Sequence, residues 1–510
     1  MTKGHRFLAP QSFEVDSFSD YQEKLKNAFV VIDREERKSI IMERAQHLAI
    51  SQGIELKSDP NLLEEVCGLI EWPNPLIGKI QHEFMTVPPE ALVSAMRSHQ
   101  KYFALTKKDG KLAPNFITIS NMPPNSERDK TTVSGNERVL SARLSDAKFF
   151  WDQDRSAKLS SRIPALETIK FYDKLGTVGE KMVRVEALGV YLSHWMPSVD
   201  QQSLKRATQL SKADLTTSMV GEFPELQGIM GSYFAHHDQE AEEVCIAIKE
   251  HYSPQGPSDF CPRNPLSVVL SLADKIDTLV GFFAINEKPT GSKDPFALRR
   301  YALGVIRLIM ENSLTLPLEK AITKSLSLYP AFDEVNGLLD FIMERLKIYL
   351  KANKIGNDRI DSIFSKRNED DINRLVEKVK AIDLFVTSDN GANLIIAYRR
   401  AANLVSAESK KDGKRYQKDP DEKIFQLEQE THLLELLTNI GVALPSILKD
   451  DDFNKAMQVL ASLRGPIDAY FENVTVNTDD LILRDNRLSL LSLVVKTMNT
   501  VADFSVIESS

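Results

Sequence analysis

The sequence predicts a predominantly α, multidomain chain with an α+β region at its N-terminal end. Three observations carry this. At 510 residues the chain exceeds one hydrophobic core and is long enough for three or four domains. From about residue 165 onward, apolar residues recur almost without interruption at helical spacing. Before that point, helical patterns alternate with short β-type runs, one of them a clear hairpin.

Composition narrows the function classes. Hydrophobic residues make up 42% and charged residues 27%, the balance of a chain with packed cores and a hydrated surface. With 72 acidic against 64 basic residues the net charge is -8, so any nucleic-acid surface must be a local patch. Cys67, Cys245 and Cys261 are far apart and lack CxxC spacing, which argues against a disulfide framework or a thiolate zinc site. A reducing cytoplasm is expected. No apolar run approaches a membrane span and MTKGHRFLAP has no signal-peptide core, so no membrane is expected.

In chain order, FEV reads as a strand, and VVID precedes a long charged helix. Ile54 and Leu56 alternate weakly, and Asn61 opens the helix LLEEVCGLIEW, which Trp72-Pro73 and Pro75 end. Pro88-Pro89-Glu90 opens EALVSAMRSH. KYFALTKKDGKLAPNFITISN predicts a hairpin turning at Asp109-Gly110. SGNERVLSARLSDAKFFWDQDR then interleaves Arg138 and Arg143 with Phe149, Phe150 and Trp151. Such a pattern can grip single-stranded RNA. Without RNP-like strands nearby, a helix with core aromatics and solvated arginines is the better reading.

The most informative stretch is Asn264 to Met310. NPLSVVLSLADKIDTLVGFFAI places Asp274 and Asp277 on one helix face. After the polar break NEKPTGSKD, Asp294-Pro295 is expected to start a second helix. There, Arg300, Arg307 and Glu311 would form a polar stripe, while Arg299 falls beside Leu303, Ile306 and Met310. An arginine on an apolar side must be paired or bind an anion. A salt bridge to a neighbouring helix, for instance to Asp274 or Asp277, is expected, with a phosphate or partner contact as the alternative. GTVGEK and GSKD lack the GxxxxGK[ST] spacing and do not clearly sit between a strand and a helix, so each reads as a glycine-containing connection.

LADKID followed by KPTGSKDPFALRRYALGVIRLI resembles the signature of the bacterial glycyl-tRNA synthetase beta subunit family. GHRF, LLEEVCGLIEWP, FMTVPPEALVSAMRSHQKYF, SGNERVLSARLSDAKFFWDQDR, KLGTVGEK and GIMGSYFAHHD continue that resemblance in family order. It implies four regions. Residues 1–164 would be an α+β domain similar to parts of the phenylalanyl-tRNA synthetase beta chain, and 165–311 an HD-like helical domain. A helical connector at 312–380 would lead to a helical anticodon-binding (DALR-like) domain at 381–510. The family carries a region ahead of GHRF, so the first domain is expected to be partial, through a shortened form or a start assigned too late.

HD-type domains bind a divalent metal through a His-Asp pair, further histidines and a late aspartate, activating water for attack on a phosphoester. The matching positions are Ala213-Asp214, His236 or His237, His251 and Asp274. Alanine stands where the pairing histidine would be, and Leu210-Ser211-Lys212 offers no upstream ligand. A carboxylate-heavy remnant binds transition metals weakly. No metal is expected on this chain, and His236, His237 and Asp238 read as polar helix surface or partner contact. His194, beside Trp195, reads as packed.

Residues 312 to about 380 read as the helices LEKAITKSLSLY, GLLDFIMERLKIYLKANK and RLVEKVKAIDLFV. Asp389-Asn390-Gly391 has turn chemistry and precedes LIIAYRRAANLVSAE. The loop KKDGKRYQKDPDEK carries Lys410, Lys411, Lys414, Arg415 and Lys418, the densest positive charge in the chain. THLLELLTNIGVAL, FNKAMQVLASLRGPIDAYFENVTVN and RLSLLSLVVKTMNTVADFSVI follow as long helices. RRAANLV and LRGPIDAYFENVTV carry the anticodon-domain resemblance. It makes Arg399, Arg400, Arg464 and Arg487 candidates for tRNA contact, along with Lys410, Lys411, Lys414 and Arg415. Helix-surface arginines with local carboxylates are the alternative.

By that resemblance the chain is the tRNA-binding beta subunit of a glycine–tRNA ligase of two alpha and two beta chains. ATP, Mg and the aminoacylation site would sit on the alpha subunit, with no catalytic residue and no cofactor here. tRNA(Gly) and the alpha subunit are the expected partners. An HD-type phosphohydrolase and an RNA-independent scaffold are the competing classes.

Overall fold

Side-chain caps encoded next to the helices fix where many of them begin. In the computed structural model, which describes residues 1–366 and 369–508, the chain forms two units. The first comprises Met1–Lys170, Thr177–Gly179 and Arg206–Lys249; the second comprises Phe171–Gly176, Glu180–Lys205 and everything described from Glu250 onward. The block expected at 165–311 is thus divided between them.

In chain order the elements begin with the antiparallel pair β1 (Thr2–Lys3) and β2 (Ser12–Phe13), then α1 (Phe18–Asn27) and α2 (Arg34–Ser51). Asp33 caps α2 by accepting from the Glu36 amide. Next come β3 (Glu55–Leu56), α3 (Pro60–Leu69), β4 (Asn74–Lys79), α4 (Pro89–Gln100), β5 (Phe103–Thr106), β6 (Leu112–Ser120) and α5 (Ser126–Asp154). Asp59 caps α3 with Pro60 in its first turn. Four strands make an antiparallel sheet in the order β3-β5-β6-β4. The β5–β6 hairpin turns as expected, with Gly110 at φ +80 and the Lys107 amide donating to the Lys111 carbonyl. Ile41, Ala45 and Ala49 of α2 pack with Leu62, Val66 and Cys67 of α3 against Phe103, Leu105 and Ile117 of the sheet.

The chain continues through β7 (Lys170–Tyr172), β8 (Gly176–Thr177), α6 (Val178–Leu192), α7 (Gln201–Leu210), α8 (Ser218–Glu222), α9 (Ile229–His237) and α10 (Glu242–Glu250). The GTVGEK stretch does lie between a strand and a helix, against the sequence expectation. It is no phosphate cradle. The Glu180 carboxylate fills the space beside Gly176, and the Glu167 carboxylate fills that beside Gly179, so anionic groups occupy the bend.

Segment 206–249 belongs with the first unit for visible reasons. Trp151 of α5 stacks on Phe234 of α9 at 5.3 Å. The buried Asp154 carboxylate accepts from the Ser218 and Met219 amides at 3.1 and 2.8 Å, at the start of α8. In the aromatic stretch of α5, only Trp151 is fully in the core; Phe149 is 63% exposed.

The second unit is all helical beyond the short strands: α11 (Pro265–Ala284), α12 (Leu298–Glu311), α13 (Leu318–Leu326), α14 (Leu338–Ala352), α15 (Asn357–Phe364), α16 (Ile372–Val386), α17 (Asp389–Asp412), α18 (Glu428–Lys449), α19 (Phe453–Ala461), α20 (Arg464–Asn473) and α21 (Leu481–Met498). Every residue of α11 from Leu266 to Phe283 is buried. Helix α12 starts three residues later than Asp294-Pro295 suggested. Ala297 adopts a left-handed conformation, yet Asp294 still caps from a distance, accepting from the Leu298 and Arg299 amides at 2.8 and 3.0 Å.

Two more expectations change. Asp389-Asn390-Gly391 is no turn but the first turn of α17, capped by Ser388. FNKAMQVLASLRGPIDAYFENV is two helices, α19 and α20, separated at Ser462-Leu463 ahead of Gly465-Pro466. Helix α18 is, by length and composition, apolar enough to cross a membrane, which the sequence reading had excluded for every segment. Its Leu433, Leu437, Ile440 and Leu444 are buried, whereas Val442 is 78% exposed.

Candidate nucleic-acid interface

The buried ionic cluster around α11 decides what the two aspartates do. Asp277 accepts from Lys181 Nζ at 3.1 Å and from Arg184 Nε at 2.9 Å, both on α6. The same ammonium lies 3.2 Å from an Asp274 carboxylate oxygen and donates to Thr278 Oγ1 at 2.8 Å. All four charged residues are buried. Burial alone would push the Lys181 ammonium down, but the charges of Asp274 and Asp277 outweigh it and hold its pKa above the usual lysine value. Tyr329 closes the cluster, its hydroxyl donating to the Asp277 carbonyl at 3.0 Å and its ring lying 4.1 Å from the Arg184 guanidinium.

Arg299 therefore does not pair with Asp274 or Asp277, as the sequence reading expected. It lies in the first turn of α12 and reaches back to the preceding loop, donating to the Gly291 carbonyl at 2.6 Å. The expected polar stripe also divides. Arg300 is exposed, whereas Arg307 is buried and donates to Glu311 Oε1 and the Gly256 carbonyl, each at 2.7 Å.

The HD-type positions are engaged in structural roles. Asp214 Oδ2 accepts from the Gly228 and Gly231 amides at 2.6 and 2.9 Å, at the N-terminus of α9. Burial raises its pKa to about 6 despite those two donors. His237 is exposed at the end of α9, its Nδ1 3.0 Å from Arg155, and Asp238 accepts from the Leu159 amide at 2.6 Å. His251 is buried with its ring 3.9 Å from that of Tyr252. His194 is exposed rather than packed, its Nδ1 2.8 Å from the Tyr191 carbonyl. One oxygen of Asp214 is spent on backbone amides, and an ammonium already neutralises Asp274. Among the described residues no three His, Cys, Asp or Glu side chains converge as a metal site.

The cations of the C-terminal helices separate into bound and available groups. Arg487 was a candidate for RNA contact; it is buried on α21, donating to both Glu430 oxygens at 2.7 and 3.3 Å and to the Thr475 carbonyl at 2.8 Å. Its guanidinium cannot leave without stranding a buried carboxylate, so it is structural. Arg399 donates to the Ile507 carbonyl, and Arg464 to Asn390 Oδ1 at 3.1 Å. Lys414 pairs with Asp485 at 2.5 Å, and Lys411 lies 3.8 Å from Glu408. Arg400 is exposed, its guanidinium 4.2 Å from the Phe471 ring centre. Lys410, Arg415 and Lys418 are exposed and form no ion pair among the described residues.

Arg484, which sequence reasoning missed, braces the root of this basic segment. It is buried and binds Asp412 at 2.6 Å, Glu408, and Asn477 at 3.3 Å. Hydrogen bonds from Arg484 hold the Glu408 and Asp412 carboxyls below the usual carboxylate range. Lys410 and Lys411 are thereby in the last turn of α17, and Gly413, left-handed at φ +63, begins the loop.

Comparison with known families fits this layout. A model described as "Glycyl-tRNA synthetase beta subunit" matches residues 1–365, and one described as "DALR anticodon binding domain" matches 394–505. The glycine–tRNA ligase beta subunit of Rhodospirillum centenum is 50% identical over 99% of this chain and 72% of its own length. Those of Ruegeria sp. TM1040 and Phenylobacterium zucineum are each 43% identical over 99% of this chain and 74% of their own lengths. A helical chain carrying an anticodon-binding domain of this kind is of the aminoacyl-tRNA synthetase class. Within that class, the chain belongs to the glycyl-tRNA synthetase beta subunit family.

Proposed function

We propose that this chain holds tRNA(Gly) for a glycine–tRNA ligase whose aminoacylation site lies on a separate alpha subunit. In this reading two alpha and two beta chains assemble in the cytoplasm, and ATP and Mg bind on the alpha chains. Glycine is activated there and transferred to the tRNA 3′ end. The beta chain contributes positioning, keeping the acceptor end in attacking geometry. The observation that carries the reading is the exposed set Lys410, Arg415 and Lys418 on a helical domain of the anticodon-binding type. Unpaired surface cations are what a phosphate backbone needs, whereas the buried cations Lys181, Arg184, Arg484 and Arg487 are spent on carboxylates.

The test is glycine charging of tRNA by this chain mixed with its alpha partner, against each chain alone. Charging is expected only from the mixture, and lost when residues 380–510 are removed. Charging by this chain unaided would overturn the assignment.

A further inference from the structure

A groove runs along α21 between the basic loop and α18, and none of the arginines expected to contact RNA lines it. Two cavities of about 320 and 410 Å³ share Asp419, Leu493 and Lys496 as lining, so they form one continuous cleft. Their size is that of clefts that take small molecules, roughly 300–1,000 Å³. Its composition is two-faced. Leu434 and Leu437 of α18 give an apolar wall, while Lys418 on the loop and Lys496 on α21 supply positive charge. Both lysines are exposed and unpaired among the described residues.

We infer that this cleft takes an unpaired nucleotide of the bound RNA, with its base against the leucine wall and its phosphates beside Lys418 and Lys496. The inference rests on the tRNA-binding reading above and adds a place to it. An unstacked base has apolar faces and polar edges beside an anionic backbone, which is the combination the cleft offers. The Asp419 carboxylate is an acceptor suited to a base amino edge and repels a phosphate. It therefore sets which way round the nucleotide enters. The paired neighbours Lys411 and Lys414 stay outside, committed to Glu408 and Asp485.

Gly441 makes the cleft testable. It lines the larger cavity, and a Cβ built on it meets nothing within 4 Å. A phenylalanine there starts from open space at its Cβ and is expected to obstruct the groove. Two variants of this chain, Gly441→Phe and the double variant Lys418→Ala/Lys496→Ala, are assembled with the alpha partner and titrated with tRNA(Gly) transcript across a salt series. Each is expected to weaken binding by about tenfold or more, as loss of one base contact does, with unchanged thermal midpoints. The slope of log affinity against log salt should fall by about 2 in the lysine variant.

Wild-type-like affinity in both variants, with the unaltered complex binding normally, would overturn the cleft assignment and leave the tRNA-binding reading intact. Absence of tRNA binding by the unaltered complex would overturn that reading itself. Loss of alpha association in either variant, by sedimentation, would make the cleft a protein interface and overturn the nucleotide assignment.

Discussion

Arg487 on α21 and Glu430 on α18 form a buried two-pronged ion pair, at 2.7 and 3.3 Å, that ties the first turn of one long helix to the middle of another. Glu430 also caps its own helix, accepting from the Gln426 and Leu427 amides at 2.9 Å each. Burial pulls its carboxyl upward, but Arg487 and those amides win and leave its pKa below the usual glutamate value. Breaking such a pair from one side strands a charge and costs about 3–5 kcal/mol. Arg487→Ala is therefore expected to lower stability by that order in denaturant unfolding, and Arg487→Met with Glu430→Gln, which keeps an oxygen for the two amides and removes the stranded charge, to restore part of it. An Arg487→Ala chain of normal stability but weak tRNA binding would reassign the residue to RNA contact.

Asp214 gives the first unit a pH dependence with a definite sign. Its folded pKa, about 6, lies above the ordinary aspartate value of about 3.9. The stabilisation from its bound proton is complete below about pH 3.9 and is lost as pH rises through about 6, amounting to on the order of 3 kcal/mol. Asp214→Asn keeps an oxygen for the Gly228 and Gly231 amides and removes the buried anion. Its thermal midpoint should exceed that of the unaltered chain at pH 8, and the gap should close near pH 4. No gain at pH 8 would mean the anion is fully compensated where it lies.

Lys410 and Arg415 provide a test by salt. Each replaced by alanine should reduce the salt slope of tRNA binding by about 1 if it meets a phosphate. Neither change should move the thermal midpoint, because neither side chain is packed. An unchanged slope in the combined variant places the phosphates elsewhere.

Gly391 cannot carry a side chain. A Cβ there would lie 1.9 Å from the Phe385 carbonyl oxygen and 3.1 Å from Ser388 Oγ. Gly391→Ala should destabilise the second unit by about 1–3 kcal/mol or more, as overpacking does. A midpoint within one degree of the unaltered chain would show that α16 and α17 part easily.

What could be read from the sequence was mostly local. The Asp109-Gly110 turn, the charged helix after VVID and the apolar run of α11 each depend on residues a few positions apart. The fate of the cations was hidden because their partners are remote in sequence. Glu430 lies 57 residues from Arg487, and Asp277 lies 96 from Lys181. A helical wheel placed Arg299 on the apolar side of α12, but a side chain in a first turn can reach back to the loop before it. The cleft beside Lys496 was illegible for a similar reason, since its walls come from three separate stretches of chain.

The complete burial of α11 bears on how the protein is made. Until its later neighbours emerge, a nearly continuous greasy rod carrying two carboxylates and a lysine must wait in the cell. Tyr329, which caps the Asp277 carbonyl, lies 52 residues downstream. At ribosomal speeds of about 5–20 residues per second the wait is roughly 3–10 s. That interval is the chain's most sticky moment, and helices α12 to α14 end it by arriving in order.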